Sequence, residues 1–312
     1  MVCNTASKPR LGLPNLGLGV GLRNKHMSYI MQHGAGVDWF EAISENYMDN
    51  HGYTRYVLNQ LAERVPIVLH GVSLSIGSCD PLNFAYLSQL KQLAKEVNAR
   101  WISDHLCWTG ISSVNSHDLL PMPLTEESFA YVVQRVRIVQ DFLEQPLILE
   151  NPSSYVQFAE SSLFEWEFLG QLAIETGCGI LLDVNNVFVS SSHHGFDAEF
   201  YIKSLPCQYI VQIHIAGPSD NGGLLIDTHD HPVPSQVWQL YALAQQLTGG
   251  VSTLLEWDAN IPDYPQLLNE LHKAREVLSG KMPDIRVKVA NNKNTHSIST
   301  PIDFQLELMD VE

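Results

Sequence analysis

The pentapeptide Leu147-Ile148-Leu149-Glu150-Asn151 holds in miniature the pattern that decides the fold: three apolar residues without polar alternation, then a carboxylate and an amide. A strand with one wet face alternates apolar and polar residues, whereas a continuous apolar run suits a parallel strand covered on both faces. Working outward, comparable runs stand upstream at 16–20, 37–42, 67–69 and 101–102, and downstream at 180–182, 209–215 and 253–255, making eight in all. Helical patterns lie between them. Phe84, Leu87, Leu90, Leu93, Ala94 and Val97 recur every three or four residues, as do Phe129, Val132, Val133, Val136, Val139 and Leu143 after Thr125, Glu126 and Glu127, which suit a helix N-terminus. Asp263 reads as the N-cap of a helix carrying Leu267, Leu268, Leu271, Ala274 and Leu278. Strand then helix, eight times, predicts an α/β fold of the (β/α)₈ TIM-barrel type over residues 1–280, one metal-binding catalytic domain. An open doubly wound sheet is the structural alternative. Gly17, Gly19 and Gly21 do not support its dinucleotide-binding form, because Leu22 stands where Gly-x-Gly-x-x-Gly needs its last glycine.

The chain has 312 residues, 45% of them hydrophobic and 17% charged, so a sizeable core is expected and disorder throughout is excluded. Its 18 Lys and Arg against 34 Asp and Glu leave a net charge of −16, which argues against a broad phosphate-binding face and so against nucleic acid as a partner. No apolar stretch approaches the roughly 20 residues that span a bilayer, and residues 11–22 lack a cleavage site, so a cytoplasmic protein without membrane partner is expected. Cys3, Cys79, Cys107, Cys178 and Cys207 are odd in number and never spaced Cys-x-x-Cys, which reads as buried, reduced residues. From Lys281 the periodicity fades, and 281–312 is expected to be a tail, partly ordered at best.

The chemistry lies at the end of each run, because the residue at the C-terminal end of a barrel strand faces the shared mouth. Run three ends in His70, run four reaches Asp104 and His105, run five ends in Glu150 and Asn151, and run six in Asp183 and Asn185; run seven contains His214 and run eight ends in Glu256. Asp183 and Asn185, two apart, point the same way on an extended strand. Any one of these has an ordinary explanation as a buried hydrogen-bonding residue or a cap. Together, His70, His105, Glu150, Asp183, His214 and Glu256 would repel and desolvate one another unless cations sat among them. The loop after run seven adds Asp227 and His229; Pro232 restricts His231, and His193 and His194 in a Ser-rich loop read as solvated. A nitrogen and oxygen donor set without thiolate suits iron, manganese or zinc. More than four donors means more than one metal, with Glu150 the economical bridge between ions on the order of 3.5 to 4 Å apart.

These residues fall in a series of ordered motifs: Gly19-Val-Gly-Leu-Arg23 with His26, Glu45-Asn-Tyr47, Leu69-His-Gly-Val-Ser-Leu-Ser75, Ser103-Asp-His-Leu106, Leu149-Glu-Asn-Pro152, Leu182-Asp-Val-Asn-Asn186, His214-Ile-Ala-Gly217, Asp227-Thr-His229 and Leu255-Glu256. In them the chain resembles the multinuclear non-haem iron-dependent oxidases, TIM-barrel proteins formerly counted as uncharacterised that include the methanobactin-type peptide-modifying oxidases. The resemblance implies two or three irons per chain, dioxygen as cosubstrate, and oxidation of cysteine-containing positions in a ribosomally made precursor peptide, with a small leader-binding partner protein. It further implies one iron held by His70, His105 and Glu150, a second by Glu150, Asp183, His214 and Glu256, and a third by Asn185, Asp227 and His229. One departure stands out: Pro218 occupies a position where many relatives carry a histidine, and proline cannot ligate a metal.

Two other readings use the same residues. A divalent-metal barrel of the xylose-isomerase or apurinic-endonuclease type also draws on strand-end His, Asp and Glu, though the −16 charge weighs against a nuclease. A metal-dependent scaffold that binds a peptide without changing it is the third. Metal content separates them, iron favouring the oxidase and tightly held zinc the hydrolase.

Overall fold

A computed structural model of the protein describes residues 10–283 apart from residue 113. All eight runs are strands: β1 (Leu18–Gly21), β2 (Trp39–Ile43), β3 (Ile67–His70), β4 (Ile102–His105), β5 (Leu147–Glu150), β6 (Gly179–Asp183), β7 (Ile210–Ile215) and β8 (Ser252–Leu255). Each pairs in parallel with its neighbours in chain order, and β8 closes on β1 through Leu18↔Thr253, Gly19↔Leu254 and Val20↔Leu255. That closure excludes the open doubly wound sheet.

Helices follow every strand: α1 (Asn24–His33), α2 (Tyr53–Ala62), α3 (Phe84–Glu96), α4 (Glu126–Leu143), α5 (Glu165–Thr176), α6 (Val184–His194) with α7 (Ala198–Ser204), α8 (Ser235–Thr248) and α9 (Tyr264–Leu278). The Thr125 hydroxyl accepts from Ser128 N, and the Ser128 side chain accepts from Thr125 N, a capping box that fixes where α4 begins. Asp263 is the N-cap residue of α9, but its side chain caps nothing and instead pairs with Lys25.

The core has two parts. One large cluster lies between strands and helices, and a smaller one of Trp39, Val68, Trp101, Ile148, Leu181, Val211 and Leu254 fills the barrel interior, with Leu11, Leu13 and Leu16 packed against it. Filled in this way, the lower barrel leaves the C-terminal mouth as the place for chemistry. Two antiparallel hairpins in the loops there, Trp108–Ile111 with Val114–Leu120 and Ser219–Asp220 with Leu225–Ile226, were not foreseen.

Three expectations need correction. Val184–His194 is helical, so Asn185 stands in the first turn of α6 and not on an extended strand, while His193 and His194 form its last turn and not a loop. Polar Asn and Ser hid the helix, which starts because the Asp183 side chain accepts from Asn186 N at 2.7 Å. Of the cysteines, Cys107 and Cys178 are buried and free, but Cys79 is exposed and Cys207 is disulfide-bonded. The expected tail beyond residue 283 lies outside the described residues, as does Cys3.

Candidate metal centre

Strands β3 to β8 end on one rim, and their last side chains converge. His70 Nε2 and His105 Nε2 stand 3.4 Å and 3.3 Å from Glu150 Oε2. On the other side of Glu150, His214 Nδ1 lies 3.9 Å from Glu150 Oε1, 3.9 Å from Asp183 Oδ2 and 3.1 Å from Glu256 Oε2. His229 Nδ1 lies 3.2 Å from Glu256 Oε2 and 3.4 Å from Asp258 Oδ2, while its Nε2 meets Asp227 Oδ1 at 2.6 Å. Asn185 Nδ2 donates to that same Asp227 oxygen at 2.6 Å. Seven of the nine predicted site residues therefore fall in three groups at one mouth, joined through shared carboxylates, Glu150 between the first and second and Glu256 between the second and third, while Asp227 and Asn185 stand beside His229.

The donor set fits cations. Two ligands about 2.1 Å from one ion, 90 to 110° apart, are themselves roughly 3.0 to 3.4 Å apart, close to the separations in the first group. Glu150 Oε2 and Asp183 Oδ2 are buried and accept no hydrogen bond, although a lone buried carboxylate oxygen is expensive. The outward nitrogens of two histidines are already engaged: His70 Nδ1 contacts Ser103 Oγ at 2.8 Å and His105 Nδ1 contacts Gly71 O at 3.2 Å. Both rings thus present Nε2 to Glu150, as metal-ligating histidines do.

Charge depends on position. Burial, reinforced by His105 and His214, holds His70 well below the usual histidine range, and burial takes His105 down to about 4. Burial pushes the Glu150 carboxyl well up and the Asp183 carboxyl to about 7. At His214 burial is outweighed by Glu41, Glu256 and Glu150, and at His229 by Asp227 and Glu256, so both imidazoles are held well above their ordinary value. Glu256 resists burial because His229 and His214 flank it, which keeps its carboxyl low. His214, His229 and Glu150 hold protons more tightly than usual, so an ion entering there competes with protons.

Several side chains were not found from sequence or were placed differently. Asp258, two residues past Glu256, completes the third group and pairs with Arg23; the same two-residue spacing used for Asp183 and Asn185 could have found it. Glu41 lies buried behind His214, a charged residue inside an apolar run. Asp104 turns away from the groups to accept from His105 N and Leu74 N. Asn151 exchanges two 3.0 Å bonds with the Asp183 backbone and ties β5 to β6. His231, exposed, bonds Asp230; His193 Nε2 meets Leu225 O and His194 Nε2 meets Ser154 Oγ, so these two are anchored rather than solvated. Above the groups opens a cavity of ≈ 720 Å³, walled by Asn115 and Leu120 of the first hairpin and by Tyr155 and Val156 opposite.

The family of the RiPP precursor modification enzymes MbnB/TglH/ChrH matches residues 17–279, a span that includes every member of the three groups. A UPF0276 protein of Anaeromyxobacter sp. is 50% identical over 84% of this chain and 93% of its own length. Among solved structures, endonuclease IV of Thermus thermophilus superposes with a TM-score of 0.55 at 16% identity over 86% of this chain and 100% of that one. A D-psicose 3-epimerase does so with 0.53 at 11% identity over 85% and 97%. At such identities the two structures share the fold, and nothing about activity is implied by them.

Proposed function

The chain belongs to the MbnB/TglH/ChrH family of RiPP precursor modification enzymes, and from that premise we propose that it is an iron- and dioxygen-dependent oxidase acting on cysteine-containing positions of a ribosomally made precursor peptide. The observation that carries the reading is the pair of groups sharing Glu150, with Glu150 Oε2 and Asp183 Oδ2 buried and without hydrogen-bond partners. His70, His105 and Glu150 would hold one iron, Glu150, Asp183, His214 and Glu256 a second, and His229 with Asp227, Asn185 and Glu256 a third. Asp258, which also faces that last group, is paired with Arg23. Iron there would supply a change of redox state and open positions for thiolate and dioxygen, which the His and carboxylate side chains around it do not offer.

The side chains set the stage for that chemistry. Burial disfavours the charged form of His70 and His105, which leaves a ring nitrogen free to ligate, and their rings are fixed by Ser103 and Gly71. Glu150 and Glu256 spread negative charge between neighbouring groups. The hairpin wall and the Tyr155 loop enclose a space that suits a short segment of peptide rather than a folded protein. Tyr155 fixes the far side, its hydroxyl accepting from Asp227 N at 2.8 Å and so positioning the loop that carries His229. A small partner protein that binds the precursor's leader would deliver that segment. No helix among the described residues is long and apolar enough to cross a membrane.

The test is mass spectrometry of a Cys-containing precursor peptide from the neighbouring reading frames, incubated with anaerobically iron-loaded enzyme and with a leader-binding protein where one is encoded there. The peptide mass should change only when dioxygen is admitted, and zinc-loaded enzyme, unable to change redox state, should bind the peptide and leave its mass alone. Modification at full rate with zinc, or without dioxygen, would overturn the oxidase reading.

A further inference from the structure

Of the three histidines in the first two groups, His214 alone is backed by a carboxylate. Ser103 Oγ stands behind His70 and the Gly71 carbonyl behind His105, both neutral. Behind His214 is Glu41, 5% exposed on β2, with Oε2 3.2 Å from His214 Nε2. We propose that Glu41 is a positioning residue for the metal centre: its carboxylate accepts a hydrogen bond from the Nε2–H of His214 and so holds the ring with Nδ1 facing Glu150, Asp183 and Glu256.

A chain of bonds crosses the barrel interior to this pair. Trp101 Nε1 donates to Gln212 Oε1 at 2.8 Å, and an indole N–H only donates, so the amide orientation of Gln212 is settled. Its NH₂ group must then face the other way, where it lies 2.6 Å from Glu41 Oε2 and 2.7 Å from His214 Nε2. An ion on Nδ1 leaves the neutral ring its single proton at Nε2. Aimed at Gln212 alone, that N–H would meet another N–H, donor against donor in a dry interior, at a cost. Glu41 Oε2 lies within reach of both nitrogens and accepts from both. Carboxylate behind histidine also makes the ring a stronger ligand than the hydroxyl and carbonyl do for His70 and His105. Glu41 touches no substrate in this arrangement and acts only through His214.

The role of Glu41 rests on reading the mouth as a metal centre, whichever metal it holds, and the experiment separates the two. Metal-free full-length protein is titrated with cobalt(II) against a chelator, followed by its visible spectrum, for the wild type, Glu41→Gln and Glu41→Ala. Glu41→Gln keeps an acceptor but loses the charge, and Glu41→Ala loses both. One cobalt should bind ~10-fold more weakly in the first and ~100-fold in the second, with a changed spectrum for that ion and unchanged affinity for the group of His70 and His105. Wild type that takes up no cobalt defeats the metal reading itself. Wild type that binds cobalt, with both variants matching its affinity and spectrum, defeats the role of Glu41. Should the variants not fold, neutron diffraction of zinc-loaded wild type decides, with deuterium on His214 Nε2 expected and deuterium on Nδ1 overturning the proposal.

Discussion

His70 Nε2 lies 3.4 Å from Glu150 Oε2 inside the barrel mouth, and no hydrogen bond joins them. Two buried polar atoms at that range, neither satisfied by the other, are held by their strands for a third party. His105 Nε2, 3.3 Å from the same oxygen, makes the arrangement three-sided. An ion is the simplest occupant, since two side-chain atoms on a common ion are separated by about this distance.

Sharing sets Glu150 apart from members confined to one group, such as His105. Glu150→Ala should lower the number of ions bound per chain by more than one, because it strips both groups, whereas His105→Ala, confined to the first group, should cost one ion or less. Elemental analysis of the purified, metal-loaded variants reads this directly. Equal loading of the two would remove Glu150 from the bridging role. His194→Ala, anchored to Ser154 away from the groups, should load as wild type.

A glycine in the His214-Ile-Ala-Gly217 motif has a packing reason. A Cβ on Gly217 would lie 2.1 Å from His231 O and 2.5 Å from Pro232 O, backbone atoms that cannot swing aside. Gly217→Ala should therefore cost about 1 to 3 kcal/mol of stability and displace the loop that carries Asp227 and His229. Urea unfolding and ion counts measure both effects, and a variant as stable as wild type with full loading would show that the loop can give way.

Away from the mouth, Glu165 accepts from the Tyr201 hydroxyl at 2.6 Å, and burial raises its carboxyl from 4.5 to about 7. Raised in the fold, this group binds a proton that the unfolded chain releases near 4.5. Its contribution is full below that pH and is lost as pH climbs through about 7. Glu165 is only partly covered, so the swing is on the order of 1 to 3 kcal/mol. Glu165→Gln keeps an acceptor for Tyr201 and removes the charge. Its Tm relative to wild type should rise between pH 5 and pH 8, and a difference independent of pH would refute the assignment.

The barrel was legible because β3, β5 and β6, covered on both faces, have to be nearly continuous in apolar residues, and because α3, α4 and α9 carry a stripe every three or four. The hairpin strand Val114–Leu120 was not, since five of its seven residues face solvent and have no face to pattern. Among the site residues, those at strand ends were readable, because the rim position itself singles out His70 or Glu256. Asp258 escaped by standing past the strand in an irregular loop, and Glu41 by standing below the rim, inside the apolar run of β2. Helix α6 escaped because Asn185, Asn186 and the serines after Val189 carry no apolar period.

The central claim is that Glu150 sits between two metal ions, and anomalous diffraction at the iron edge from crystals of the iron-loaded protein tests it most directly. Whether or not a third peak stands at His229, two peaks should flank Glu150, one among His70, His105 and Glu150 and the other among Glu150, Asp183, His214 and Glu256, about 3.5 to 4 Å apart. A single peak at the mouth, or peaks that leave Glu150 unliganded, would contradict it.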